Sequence, residues 1–318
     1  MKLVFCGTPR FAVPTLEALL AAGHEISLVV TQPDRPAGRT QELAAPPVKR
    51  LAGDVGLPVT QPDKIRNNAE FRAKLEAIAP DAVVVVAYGR IIPPWMLSLP
   101  RYGCINLHAS LLPKYRGAAP IQWAVAMGET VTGNTTMLLE AGLDTGPILL
   151  QQALAIDSNK TAVDLLEDLA IGGAPMMVHT LAGLASGDIT PQPQDHARAT
   201  LAPILQREDG RMDFTARTAT ELTNRWRGFQ PWPGAFTTLN GKNLIVHRME
   251  VAHVGPWAGA ASGVPGQVIA RDARLFAACS QSTWLELIEV QLEGKKRMKA
   301  SEFLRGFPLT PQSQFRLG

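Results

Sequence analysis

In "CINLHAS", residues 104–110, an amide and an imidazole stand two residues apart, at Asn106 and His108. Further along, "EAGLDTGPIL" places a carboxylate, Asp144, between Gly142 and Gly146. In an extended strand alternate side chains share a face. Cys104, Asn106, His108 and Ser110 therefore line one side, with Ile105, Leu107 and Ala109 on the other. An unpaired buried polar group costs about 1–3 kcal/mol, so a polar strand face needs partners or a ligand. Glycines around Asp144 let the backbone turn tightly and present the side chain. Amide, imidazole and carboxylate together suit proton transfer with stabilisation of a developing oxyanion. Each also has a plain structural alternative: a core histidine satisfied by a backbone carbonyl, and an aspartate that caps a turn.

Missing motifs narrow the reaction. There is no G-x-S-x-G elbow around Ser110, no H-E-x-x-H, no Walker A loop and no G-x-G-x-x-G; "FCGTPRFAVP" carries one glycine after its strand. Covalent serine catalysis, zinc hydrolysis, P-loop phosphoryl transfer and dinucleotide binding gain no support. A reaction in which one substrate brings the nucleophile and the other an activated acyl group needs only the trio.

The elements that must hold these residues follow from patterning. The first half alternates short Val/Ile-rich runs ("LVFCG", "EISLVVT", "AVVVVAYG", "CINLHAS") with amphipathic segments, which predicts a doubly wound, mostly parallel α/β sheet covered on both faces. In such sheets ligands bind outside the carboxyl ends of the strands, where Asn106 and His108 fall. "TGNTTMLLE" and "GPILLQQALAI" read as further strands, and residues 161–187 as a closing helical segment. We expect a catalytic domain over 1–187 and a Pro-rich linker over 188–207. Over 208–318, short strands between Gly and Pro turns suggest a small OB-like β-barrel.

At 318 residues and 46% hydrophobic, the chain can fill sizeable cores. No uninterrupted apolar run approaches the roughly 20 residues of a membrane helix, and "MKLVFCGTP" leads straight into a strand, so a soluble, cytoplasmic protein is expected. Cys6, Cys104 and Cys279 lack C-x-x-C spacing and read as small buried residues, with no metal site. The formal charge of +3 is uneven: residues 1–207 hold 17 Lys/Arg against 18 Asp/Glu, and residues 208–318 hold 14 against 10. That excess is either an ordinary solvated surface or a patch facing a polyanion such as RNA.

"NLHASLLPKYRGAAPIQWA" and "GLDTG" together resemble the folate-dependent formyltransferases. "FCGTPRFAVP", "TQPDRPAGR", "VVVAYGRIIP", "GAAPIQ" and "FQPWPGA" are similar to the branch that formylates a charged tRNA, and the likeness extends along almost the whole chain. The resemblance implies transfer of formyl from 10-formyltetrahydrofolate to the α-amino group of methionine on initiator tRNA, in translation initiation. It casts Asn106 and His108 as oxyanion donors and Asp144 as the group that positions His108 and assists proton removal. Ser110, Leu111, Leu112 and Pro113 would shape the folate pocket, with Tyr88 and Gly89 in its wall.

For tRNA, the resemblance points to Arg35 and Arg39 in the long loop between strand and helix. Thr40, Gln41 and Glu42 follow where relatives often carry lysines. Lys295, Lys296, Arg297 and Lys299 form a basic run that could add electrostatic affinity or be a solvated surface. Asn134 stands where relatives commonly carry an aliphatic residue. A monomer is expected. Two other readings fit the residues: the same chemistry on an amino-sugar nucleotide, and a non-catalytic RNA-binding protein on the same fold.

Overall fold

The five residues of "AVVVV" are buried on both faces, as a central parallel strand requires, and they sit in the middle of a seven-stranded sheet. The computed structural model describes residues 1–37, 42–252, 263–307 and 317–318, in two compact units. The first comprises Met1–Ile121, Val131–Asp157 and Asp164–Ile204; the second comprises Gln122–Thr130, Ser158–Val163 and Leu205–Gly318.

In the first unit the strands are β1 (Lys2–Gly7), β2 (Glu25–Val30), β3 (Arg35–Ala37), β4 (Glu42–Ala44), β5 (Val59–Thr60), β6 (Ala82–Val86), β7 (Cys104–His108), β8 (Val131–Leu138) and β9 (Ile148–Ala155). The helices here are α1 (Val13–Ala21), α2 (Pro47–Asp54), α3 (Ala69–Ile78), α4 (Pro94–Leu97) and, from Asp164 onward, α6 (Ala162–Ser186); α5 (Pro120–Ala126) belongs mostly to the second unit. The main sheet runs β5-β2-β1-β6-β7-β8-β9; β8 pairs antiparallel with both β7 and β9, and the other pairings are parallel. Strand order reverses on either side of β1, which places the crevice for a ligand at the carboxyl ends of β1 and β6 and of the adjacent β7. The long Pro/Gly loop after β2 folds partly into the hairpin of β3 and β4.

Helix α6 covers the apolar face of β7 at close range. A Cβ on Gly173 would lie 2.6 Å from Leu107 Cδ2, so any larger residue there would force the leucine to shift. By length (25 residues) and mean hydropathy (1.3) α6 could span a membrane, yet Leu165, Leu169, Met177 and Leu181 are buried and Thr180 hydrogen-bonds to Thr136 of β8 at 2.8 Å. Asn134, buried on β8, donates its amide to the Leu169 carbonyl of α6 at 2.8 Å, which gives this residue a structural account. All three cysteines are buried, and burial pushes the Cys104 thiol up to about 12.

The second unit holds α7 (Ala219–Gly228), β10 (Phe236–Leu239), β11 (Lys242–Val251), β12 (Val268–Arg271), β13 (Arg274–Ala278), β14 (Trp284–Leu292), β15 (Met298–Lys299) and α8 (Ala300–Gly306). Its sheet is antiparallel, in the order β10-β11-β14-β13-β12, with β15 paired to β14. Alternate residues of β11 and β14, among them Leu244, Val246, Leu285 and Leu287, enter one core with Phe214, Leu222 and Phe303. Residues 188–204, read above as linker, are part of the first unit: Ile148 and Gln192 exchange backbone hydrogen bonds, Arg116 N–H donates to the Thr200 carbonyl, and the Arg116 carbonyl accepts from Ala202 N–H.

Candidate active site

The site is built where β7 ends. Asn106 and His108 sit on one face of the strand, and both are buried at 9% and 6% exposure. The chain then turns through a cis Leu112–Pro113 bond into the 110–117 loop. Ser110 Oγ donates to the Lys114 carbonyl at 2.7 Å, which closes the turn from within. Thr135 of β8 fixes its other side, donating to the Ser110 carbonyl (2.6 Å) and accepting from Leu112 N–H (3.2 Å). Gln151 of β9 donates to the Leu112 carbonyl at 2.9 Å. Backbone and hydroxyl partners thus define the shape of this loop before any ligand arrives.

A carbonyl can only accept, so the 2.9 Å contact between His108 Nε2 and the Tyr115 carbonyl fixes a proton on Nε2. The other ring nitrogen, Nδ1, faces Asp144 Oδ2 at 3.7 Å. That is too long for a hydrogen bond and short enough for strong attraction when the imidazole is protonated. Asp144 has a left-handed backbone (φ 48°), and its Oδ2 accepts from Gly117 N–H at 2.7 Å. Gly117 has φ 124°, and a Cβ there would lie 2.6 Å from the Ala202 carbonyl, so this donor position is open only to glycine. Both plain structural roles are therefore realised, a histidine on a carbonyl and an aspartate on a turn amide. Neither uses up the group: His108 Nδ1, Asp144 Oδ1 and the whole Asn106 amide have no hydrogen-bond partner among the described residues.

Tyr88 and Gly89 lie past the carboxyl end of β6, but the Tyr88 ring belongs to the apolar core with Val4, Leu28, Val85 and Met96. Burial pushes its phenol well above the ordinary value. Its carbonyl is what reaches the strand ends, accepting from Thr8 Oγ1 and Gln32 Nε2, each at 3.1 Å. Gly89 follows in the left-handed region, at φ 78°.

Arg116 and Gln194, of which the sequence did not single out the glutamine, complete the setting. Arg116 is buried and donates from Nε and Nη2 to Gln194 Oε1 at 3.1 and 2.6 Å, and Gln194 Nε2 donates to the carbonyls of Asp144 (2.8 Å) and Gly146 (2.7 Å). A lone glutamine in "PQPQD" carries no chemical signature; only the fold brings it to this loop. Among the described residues no group of His, Cys, Asp and Glu could hold a metal ion.

The expected tRNA contacts are scattered over both units. Arg35 is exposed on β3, while Arg39 lies outside the described residues. Lys295, Lys296, Arg297 and Lys299 are all exposed around the turn that joins β14 to β15. Arg297 is ion-paired to Glu289, whose carboxyl is held below its usual range chiefly by that hydrogen bond.

Comparison with known proteins decides the family. A family model described as formyl transferase matches residues 1–181, and a second, for the formyl transferase C-terminal domain, matches residues 204–308. The chain belongs to the formyl transferase family. Within the family it is 66% identical over 314 residues to a methionyl-tRNA formyltransferase of Acidobacterium capsulatum, covering 99% of each chain. It is 57% identical to the methionyl-tRNA formyltransferase of Koribacter versatilis, over 100% of this chain and 99% of that one. Among solved structures, the fold matches an N-formyltransferase from Helicobacter canadensis, in complex with folinic acid and dTDP-3-aminofucose, with TM-score 0.65. That match has 17% identity and covers 90% of this chain and 98% of the other. The family membership and the expected architecture, a mostly parallel α/β domain followed by an antiparallel β domain, are both established.

Proposed function

We propose that this formyl transferase moves the formyl group of 10-formyltetrahydrofolate to the α-amino group of methionyl initiator tRNA, in the cytoplasm. One observation carries the reading: unpartnered donor and acceptor atoms of Asn106, His108 and Asp144 face one strand end, in a chain 66% identical over its length to a methionyl-tRNA formyltransferase. Bound 10-formyltetrahydrofolate would supply the activated formyl carbon. The loop Ser110–Leu111–Leu112–Pro113, fixed by Thr135 and Gln151, and the chain turn at Tyr88–Gly89 would bound its pocket; the free Asn106 amide fits a polar ligand there.

In this reading Asn106 Nδ2 and protonated His108 Nδ1 donate to the formyl oxygen as it gains negative charge. His108 Nε2 stays on the Tyr115 carbonyl and keeps the ring from rotating. Asp144 stabilises the imidazolium through Oδ2, takes at Oδ1 the proton leaving the amine, and would return it to the folate N10 as the bond from N10 to the formyl carbon breaks. Arg35, Arg39, Lys295, Lys296, Arg297 and Lys299 would contribute attraction to the tRNA phosphates.

The test is to incubate the purified protein with 10-formyltetrahydrofolate and methionyl initiator tRNA, with elongator methionyl-tRNA and an amino-sugar nucleotide in parallel, and to measure formyl products by mass. Formyl-methionine confined to the initiator supports the proposal. Formylation of the sugar in its place overturns the substrate, and binding of charged tRNA without any product overturns the chemistry.

A further inference from the structure

Resting on the role just proposed for Asp144, we infer that Arg116 and Gln194 are positioning residues that lock the Asp144 turn in its working conformation. Three segments far apart in sequence meet here: the loop after β7, the turn between β8 and β9, and the stretch that follows α6. Arginine has donors only. With Nε and Nη2 both directed at Gln194 Oε1, the glutamine amide has one possible orientation, nitrogen toward the turn. Its two N–H groups then have one acceptor each, the carbonyls of Asp144 and Gly146. These two carbonyls bracket the turn that carries the Asp144 side chain, and Asp144 itself holds a left-handed backbone, uncommon for a non-glycine residue though better tolerated by aspartate than by most.

The guanidinium is set just as firmly. Arg116 N–H donates to the Thr200 carbonyl at 2.8 Å, its own carbonyl accepts from Ala202 N–H at 2.7 Å, and Nη2 also contacts His196 Nδ1 at 3.0 Å. The next residue, Gly117, supplies the amide that grips Asp144 Oδ2. One chain turn therefore controls Asp144 twice, at the carboxylate through Gly117 and at the backbone through Arg116 and Gln194. Arg116 is 6% exposed and has no carboxylate partner among the described residues, so its charge is held by neutral acceptors alone. A buried arginine kept merely for stability would be expected to carry an acidic partner. Glutamine at 194 makes sense where the donor side of the amide is needed, because glutamate would serve Arg116 better.

That contrast supplies the test. Gln194→Glu keeps an acceptor for Arg116, now as an ion pair, but sets a carboxylate oxygen against two carbonyl oxygens. The expected result is a thermal midpoint equal to or above that of the parent, unchanged KM for both substrates and a fall in kcat of about 10- to 100-fold, the scale on which small misplacement of a catalytic group acts. Gln194→Ala should lower kcat similarly while also lowering the midpoint. Gln194→Glu is then combined with Asp144→Asn. If Gln194 acts through Asp144, the double variant is no slower than Asp144→Asn alone; independent, additive losses overturn the positioning role. Parental kcat in Gln194→Glu, or kcat that follows the midpoint across the Gln194 variants, also overturns it. Parental kcat in Asp144→Asn itself instead marks failure of the underlying site assignment, and the positioning role falls with it.

Discussion

Two polar regions of this chain, one an amide and an imidazole in an apolar strand and the other a run of lysine and arginine, differ in physics as well as in composition. The strand end at Asn106–Ser110 is buried, and its shape is set by neutral partners such as the Tyr115 and Lys114 carbonyls and the Thr135 hydroxyl. The basic turn at Lys295–Lys299 is exposed, and one of its charges is already matched by Glu289. Away from water a single donor is strong and geometry decides its effect; in water each charge is weak, screened by salt and useful mainly in number. The comparison separates a region suited to chemistry from one suited to attracting a polyanion.

The largest effects should come from the buried region. If Asn106 is the oxyanion donor proposed above, Asn106→Ala should lower kcat by about 10²- to 10³-fold. Its amide has no protein partner among the described residues, so no group is orphaned and the thermal midpoint should barely move. His108→Ala should lose at least as much turnover, but it strips the Tyr115 carbonyl of its donor and should also cost about 1 kcal/mol of stability. Single-turnover rates set beside thermal melts check both; near-parental turnover in either variant would erase the contrast between the two regions.

A smaller effect is expected at the basic turn, where the response to salt is more telling than the affinity. Lys296 and Lys299 have no ion-pair partner among the described residues, whereas Arg297 is engaged by Glu289. If the turn meets phosphates, Lys296→Ala should reduce the slope of log affinity against log salt by about one, with little change in kcat. Arg297→Ala should change the slope less. Glu289→Gln, which frees Arg297, should steepen it. Titrations of charged tRNA at several salt concentrations read all three, and equal slopes throughout would mean that the turn is ordinary solvated surface.

Much of this was legible in the sequence because the signals are local. Period-two alternation in "CINLHAS" gave the polar face of β7, and the all-apolar "AVVVV" gave a strand covered on both sides. The antiparallel strands of the second unit, such as "NLIVHRMEV" and "WLELIEVQL", were legible for the same reason. What stayed hidden depends on contacts distant in sequence. Gln194 bonds to carbonyls fifty and forty-eight positions away, and nothing in "PQPQD" announces them. The resemblance put Tyr88 in a pocket wall; its ring lies in the core, and its carbonyl is what reaches the strand ends. Asn134, which stands where relatives commonly carry an aliphatic residue, finds the Leu169 carbonyl of α6, a partner that no window around residue 134 contains.

The smallest expected effect lies at the start of α7 and isolates local stability from both regions. Thr218 and Glu221 form a reciprocal capping box: Glu221 N–H donates to Thr218 Oγ1 at 3.3 Å, and Thr218 N–H donates to Glu221 Oε2 at 2.7 Å. The hydrogen bonds from Thr218 hold the Glu221 carboxyl below its ordinary value of 4.5. A carboxyl depressed in the folded state adds stability that is fully present above its unfolded value and is lost as pH falls through the folded one. Acid melts of the parent should therefore lose this contribution below about pH 4.5, and Glu221→Gln should flatten that part of the profile while leaving neutral-pH turnover intact. Thr218→Ala removes the cap at every pH, at a cost of about 1 kcal/mol. Because α7 packs against the core of the second unit through Leu222, a loss of turnover in Thr218→Ala at neutral pH would show that the second unit's stability limits the chemistry of the first.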